Sequence, residues 1–251
     1  MANTRDLMNK TLRGLRQYSL IIGSGTTSTT DDYLLMILQF VNDAKEEVEE
    51  SGWAWQALRK TITVTLTSGQ AEYDITIAGD ADIDTDDRSR LLYENVNVYG
   101  TSEGFYNSSS SLPMVFNTTT SSETRLQEIT QERMERLHFT DDGETGEPQL
   151  FALYSDGDSI DMKVWPTPDA TYTLKMRMYV PQAELSSTTL TTTLSAPARP
   201  IWMKALLKAN QERGDELGAP GSTLHEAYLD AHGAAVAKEQ TPADTTVFLE
   251  R

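Results

Sequence analysis

Between residues 32 and 66 the apolar pattern of this chain changes period, from that of a helix to that of a strand, and this switch limits the fold more than any other feature. Leu34, Ile37, Leu38, Val41, Ala44 and Val48 recur at helical spacing, with Lys45, Glu46, Glu49 and Glu50 expected on the opposite side. Thr29-Thr30-Asp31-Asp32 supplies N-cap residue types, and Gly52 suits the position after a last turn near Ser51. In Thr61-Ile62-Thr63-Val64-Thr65-Leu66, apolar residues then alternate strictly with threonine, the pattern of a half-buried strand. One pattern buries a helical stripe and the other buries a sheet face, so the chain must build both kinds of layer.

The flanking sequence extends this reading. A first helix is expected over 4–20. The strand at 61–66 is expected to form a β-hairpin with 71–77 around Thr67-Ser68-Gly69-Gln70. Further strands are expected at 91–99 and 112–117, followed by a short helix over 124–138 opened by a capping box at Thr124 to Gln127. A β unit follows, 150–154 and 159–165 about the turn 155–158, then a strand at 172–179 with Tyr172, Leu174, Met176 and Met178 on one face. Residues 184–198 read as a Ser/Thr-rich connection too polar to pack alone. Two helices close the chain, one near Pro200 presenting Ile201, Trp202, Ala205, Leu206 and Ala209, the other starting at Thr223 with Glu226 in capping-box register. Strands and helices in blocks, without βα alternation, give an α+β class. The expected divisions are 1–60 (N-terminal helices), 61–198 (β-rich), 199–240 (C-terminal helices) and 241–251 (an extended tail).

Charge and composition narrow the function. The 251 residues carry 38 Asp and Glu against 21 Lys and Arg, a formal net charge of −17, which repels phosphates and argues against gripping nucleic acid. Without cysteine there is neither a disulfide nor a thiolate metal site. No apolar run is long enough to span a bilayer, and no secretion signal is read, so the matches to N-x-S/T at Asn9, Asn107 and Asn117 lose their glycosylation meaning and synthesis in a cytoplasm is expected.

No motif names a reaction. Gly100-Thr101-Ser102-Glu103-Gly104 satisfies G-x-S-x-G, but Phe105-Tyr106-Asn107 and a run of serines follow where a helix is needed. Asp80, Asp82, Asp84, Asp86 and Asp87 resemble the start of a calcium loop, yet Thr85 and Leu91 stand where Gly and Glu are required. His138, His225 and His232 lack metal-ligand spacing, and Gly23-Ser24-Gly25 lacks the rest of a phosphate loop. No catalytic, cofactor-binding or metal-binding residue is therefore nominated. Trp53, Trp55, Trp165 and Trp202 have few basic neighbours, so packing is preferred over base or sugar stacking; Trp165 falls on the face opposite Ile160, Met162 and Val164 and is the one expected to meet a partner.

Several segments together resemble the head-to-tail adaptor (connector) proteins found beneath the portal in short-tailed bacteriophages. They are Trp53-Ala54-Trp55-Gln56-Ala57-Leu58-Arg59-Lys60 running into 61–66; Ser68-Gly69-Gln70-Ala71-Glu72-Tyr73-Asp74-Ile75, similar to a T-x-G-x-x-x-Y-x-L pattern; Gly146-Glu147-Pro148-Gln149-Leu150-Phe151; and Ile160-Asp161-Met162-Lys163-Val164-Trp165-Pro166-Thr167-Pro168-Asp169 leading to Tyr179-Val180-Pro181. The stretch 78–123 departs from that pattern, being longer and richer in Ser, Thr and Asp.

The resemblance implies a helical bundle from the N- and C-terminal helices with an inserted antiparallel β-sheet or barrel domain. It also implies a structural, non-enzymatic virion subunit made in the host bacterial cytoplasm. Copies would form a homo-oligomeric ring, twelve-fold, between the portal protein and tail nozzle or tail tube proteins, with double-stranded DNA passing through unread. Thr245, Val247, Phe248 and Leu249 would dock on the portal, while Trp53, Trp55 and Trp202 would pack at the helix/β junction. The alternatives are another tail component (completion, nozzle or tube-end protein), a carbohydrate-binding or hydrolytic tail protein, and an unrelated α+β protein.

Overall fold

The computed structural model describes residues 2–51, 53, 55–75, 88–98, 108–119, 124–140, 143–155, 160–214 and 220–240, with backbone alone at 94–98, 108–112 and 240. In chain order the helices are α1 (Thr4–Gly14), α2 (Asp32–Glu49), α3 (Gln131–Thr140), α4 (Ala198–Glu212) and α5 (Thr223–Gln240). The strands are β1 (Arg59–Leu66), β2 (Glu72–Asp74), β3 (Arg90–Leu91), β4 (Tyr93–Val98), β5 (Ser108–Pro113), β6 (Val115–Asn117), β7 (Thr124–Arg125), β8 (Gln127–Glu128), β9 (Thr145–Gly146), β10 (Leu150–Ser155), β11 (Ile160–Trp165), β12 (Thr167–Pro168) and β13 (Tyr172–Tyr179). This mixture of helices and antiparallel sheets is consistent with the α+β class. Two compact units divide the chain: a helical one from Met1–Leu58 with Gln182–Arg251, and a β unit from Arg59–Pro181.

In the helical unit α4 packs against α1, α2 and α5. Asn3 opens α1 with a capping box, its side chain accepting from the Asp6 N–H at 2.9 Å while Asp6 accepts from the Asn3 N–H at 3.3 Å. Leu7, Met8 and Leu12 form the buried stripe. The helix ends at Gly14, short of the expected 20, because Arg16 takes a left-handed φ of 60° and a separate 3-10 turn covers Tyr18–Leu20. Asn9 then folds the chain back: its amide donates to Ile22 O at 3.0 Å and accepts from Ile22 N–H at 2.8 Å. Gly14 permits close approach of α1 to α4, since a Cβ there would lie 2.6 Å from Leu206 Cδ2. At α5, Ser222 rather than Thr223 supplies the cap, accepting from His225 N–H at 3.2 Å.

Asp31 caps α2, and Ile37, Leu38, Val41, Ala44 and Val48 are buried as the periodicity requires. The polar side departs from expectation. Lys45 and Glu49 are buried, not solvent-facing: they pair with each other, and Lys45 donates to Gln182 O of segment 182–197. That segment is also no loose connection. Leu185, Leu190 and Leu194 are buried, and its backbone bonds to Ala2, Thr4, Arg5, Thr27 and Thr29. Spaced four or five residues apart, those leucines belong to neither a helical nor a strand pattern, so their burial was not legible from periodicity.

The β unit packs two sheets around one core. The first has the order β1-β13-β6-β7, with β3 also on β13; the second has the order β2-β11-β10-β8. Ile62, Val64, Leu66, Leu174 and Met176 from the first sheet share the core with Tyr73, Phe151, Met162 and Val164 from the second. Among the described residues there is no closed barrel. The hairpin expected of 61–66 and 71–77 does not form either: β1 pairs with β13, Ile62 opposite Met176, while β2 pairs with β11, Met162 opposite Tyr73. Alternation fixes which face is buried but is silent on the pairing partner. The hairpin of β10 and β11 forms as expected. The helix expected over 124–138 starts only at Gln131, because Leu126 is drawn into the core: β7 joins the first sheet, β8 the second, and the chain crosses between them. Met134 seats α3 against β10 and β11.

Candidate interaction surfaces

One end of the β unit is built from two turns far apart in sequence. The Tyr73 hydroxyl, anchored by a ring buried in the core, donates to Gln70 O at 2.6 Å or Thr67 O at 3.1 Å and accepts from Thr67 N–H at 3.1 Å. Gly69 has a φ of 80°, where a side chain is disfavoured, and its N–H donates to Pro168 O at 2.8 Å. Ser68 Oγ donates to Asp169 O at 3.0 Å, and Tyr172 OH donates to Asp169 at 2.6 Å. The bond to Asp169 pushes the Tyr172 hydroxyl up to about 12, burial and the Asp169 and Glu147 charges adding to it. The Tyr in the T-x-G-x-x-x-Y pattern is therefore a brace for a docked pair of turns, which present rigid polar backbone to solvent.

A second concavity of the β unit, about 490 Å³, is lined by Leu91, Tyr93, Leu153, Tyr154, Ile160 and Met178 among others. Tyr93 donates to Glu128 at 2.8 Å; burial and then this carboxylate push its hydroxyl up to about 12. Arg90 lies over the Tyr179 ring at 4.7 Å. Phe139, at the end of α3, is 85% exposed and was not singled out from sequence, because helical spacing identifies buried stripes better than isolated outward side chains.

In the helical unit, Glu47 bridges Lys204 at 2.7 Å and also pairs with Lys208. Burial by itself would raise the Glu47 carboxyl, but the bonds and charges of the two lysines together hold it below its ordinary value. Lys204 also lies 5.0 Å over the Tyr228 ring, whose hydroxyl is raised by burial and the nearby Glu47. Trp55 is fully buried within this unit, donating from Nε1 to Val48 O at 2.9 Å and meeting His232 edge-on at 5.8 Å. Burial holds His232 below its ordinary range. Trp53 and Trp202 are half-buried. Trp165 is also half-buried, on the side of β11 away from the core.

Thr245, Val247, Phe248 and Leu249 lie outside the described residues, as do the acidic loop 80–87 and the Gly100 to Gly104 motif. Among the described residues no group of acids and histidines could hold a metal ion, and no helix is long and apolar enough to cross a membrane.

A family model described as SU10 adaptor protein matches residues 3–246, which takes in both the helical and the β unit. The chain belongs to the SU10 adaptor protein family. This is a phage head-to-tail adaptor family, and membership implies a structural, non-enzymatic role at the virion's head-to-tail junction, in association with portal and tail components. No curated protein matches the chain.

Proposed function

We propose that the adaptor is one subunit of a closed ring, twelve-fold, seated between the portal and the tail nozzle or tail tube, with double-stranded DNA passing through its channel. The family match across nearly the whole chain carries this reading. A ring needs two different sticky surfaces on each subunit, related by a rotation that closes. The helices of 1–60 and 199–240 form the bundle that supplies ring contacts. The tail 241–251, through Thr245, Val247, Phe248 and Leu249, reaches the portal, and the braced turns of the inserted β domain face the tail. Assembly follows synthesis in the host bacterial cytoplasm.

The net charge of −17 suits passage better than grip, since acids facing a channel repel the DNA backbone and leave sequence unread. The test is to mix purified adaptor with portal rings and image the product by electron microscopy. A coaxial second ring on the portal is the expected result. Absence of association across a range of salt overturns it, and binding at the far end of a tail tube instead assigns a completion or tube-end role.

A further inference from the structure

We infer that the basic face at the end of α1 is a contact for the acidic edge of α2 on a second copy of this chain. The inference rests on the ring reading and names its interface. From residue 7 to residue 30 the sequence has no Asp or Glu, although the chain as a whole is strongly acidic, and this stretch contains Lys10, Arg13 and Arg16. All three are exposed, and Tyr18 beside them is 65% exposed. Most other cations of the helical unit have internal work: Arg5 donates to Ser24 O, Lys45 meets Glu49, Lys204 and Lys208 hold Glu47, and Arg213 donates to Tyr33. Among the described residues, Lys10, Arg13 and Arg16 have no such partner.

Arg16 supplies a second, independent observation. It follows the C-cap of α1 with a φ of 60°, a place where glycine or asparagine is usual and where another side chain costs about 1 kcal/mol or more. A base in the last turn of a helix is favoured by the helix dipole, which accounts for Arg13. The dipole does not account for placing a cation on strained backbone, and a surface that needs the charge there does.

The complement lies on the same unit. Asp43, Glu46 and Glu50 follow one another along the outer edge of α2, Glu46 and Glu50 exposed and Asp43 half-exposed. Asp43 to Glu50 spans about 10 Å at the rise of a helix, and Lys10 and Arg13 lie one turn apart with Arg16 just beyond the helix end, so the two patches are of similar extent. Two complementary patches on different helices of one subunit are what a heterologous, ring-closing contact requires. Nucleic acid is the weaker partner, because three cations on a chain of net charge −17 face long-range repulsion from phosphates.

The experiment uses portal-templated assembly of the full chain, followed by sedimentation and electron microscopy, with a thermal melt of each variant. Wild type that forms no ring overturns the ring reading itself; the variants are interpreted on a wild type that does. R13E/R16E places acid on both patches and E46R/E50R places base on both. Each alone should need at least roughly ten-fold more protein for half-assembly. Their 1:1 mixture should assemble like wild type, as an alternating ring in which every contact again joins opposite charges. R16G should melt no lower than wild type yet assemble less readily, which separates the lost contact from misfolding. Unimpaired assembly of both reversals overturns the inference. So does a mixture that stays unassembled, or a gel shift of duplex DNA by wild type that R13E/R16E abolishes.

Discussion

The helical unit and the β unit stabilise themselves with different chemistry. In the β unit an apolar core is shared by two sheets, and apart from the buried Asn117 most polar side chains work at the rim, where Tyr73 braces one turn and Asp169 ties down another. In the helical unit polar groups go inside. Asn42 exchanges both of its amide bonds with Leu185, at 3.1 and 2.9 Å, and Lys45 meets Glu49 at 3.2 Å while donating to Gln182 O. A segment without regular structure has backbone groups that must be satisfied once buried; at Gln182 and Leu185 side chains of α2 do this where a sheet would use a neighbouring strand. The connection 182–197 is therefore structural, held by its buried leucines, by backbone bonds to residues 2–5 and 27–29, and by the side chains of Asn42 and Lys45.

The sharpest way to break that contrast is Lys45→Met. It removes the Lys45 ammonium from beside the buried Glu49 carboxylate, and the expected loss is about 3–5 kcal/mol in denaturant unfolding. Replacing both partners by apolar residues should recover much of it, since the desolvation cost of the pair then disappears as well. Next is Leu190→Ala, in the segment read from sequence as too polar to pack. Its side chain is fully buried, so truncation should cost about 2–5 kcal/mol; a surface-like loss of a few tenths would mean the segment is not part of the core.

In the β unit the corresponding rim change, Tyr73→Phe, keeps the ring and removes the hydroxyl. It should cost about 1–3 kcal/mol and raise amide exchange at Thr67 and Gly69 above that of the β1 interior. The smallest effect belongs to His232. Burial against Trp55 and Tyr228 lowers its folded pKa, so the unfolded chain binds the extra proton more readily. Stability from this group is present above the ordinary histidine range and is lost as pH falls through it. Thermal melts from pH 7.5 to 5.5 should show the decline, and His232→Phe should flatten it.

Much of this architecture was legible in residue order, and the failures have specific causes. The stripe of α2, the alternation of β1, β11 and β13, and the turn chemistry at Gly69 are local properties, since a period or a positive φ restricts a few neighbouring residues. Ser68-Gly69 was visible as a turn, but nothing local joins it to Pro168-Asp169. Lys45 and Glu49 looked like a solvated face because two opposite charges a turn apart usually are one. Leu126 delayed the start of an expected helix to Gln131 because its burial between two sheets outweighed the capping residues beside it.

By itself, then, the sequence determined the α+β class, the buried faces of the main elements and, through ordered resemblance, the adaptor family. Tertiary structure alone decided that β1 and β2 pair with different strands, that segment 182–197 is packed, and that a lysine and a glutamate on α2 are buried. The physical reason is range. Periodicity and backbone preference act over a turn or two of chain, whereas pairing and burial depend on which distant segment arrives to fill the remaining hydrogen bonds and volume.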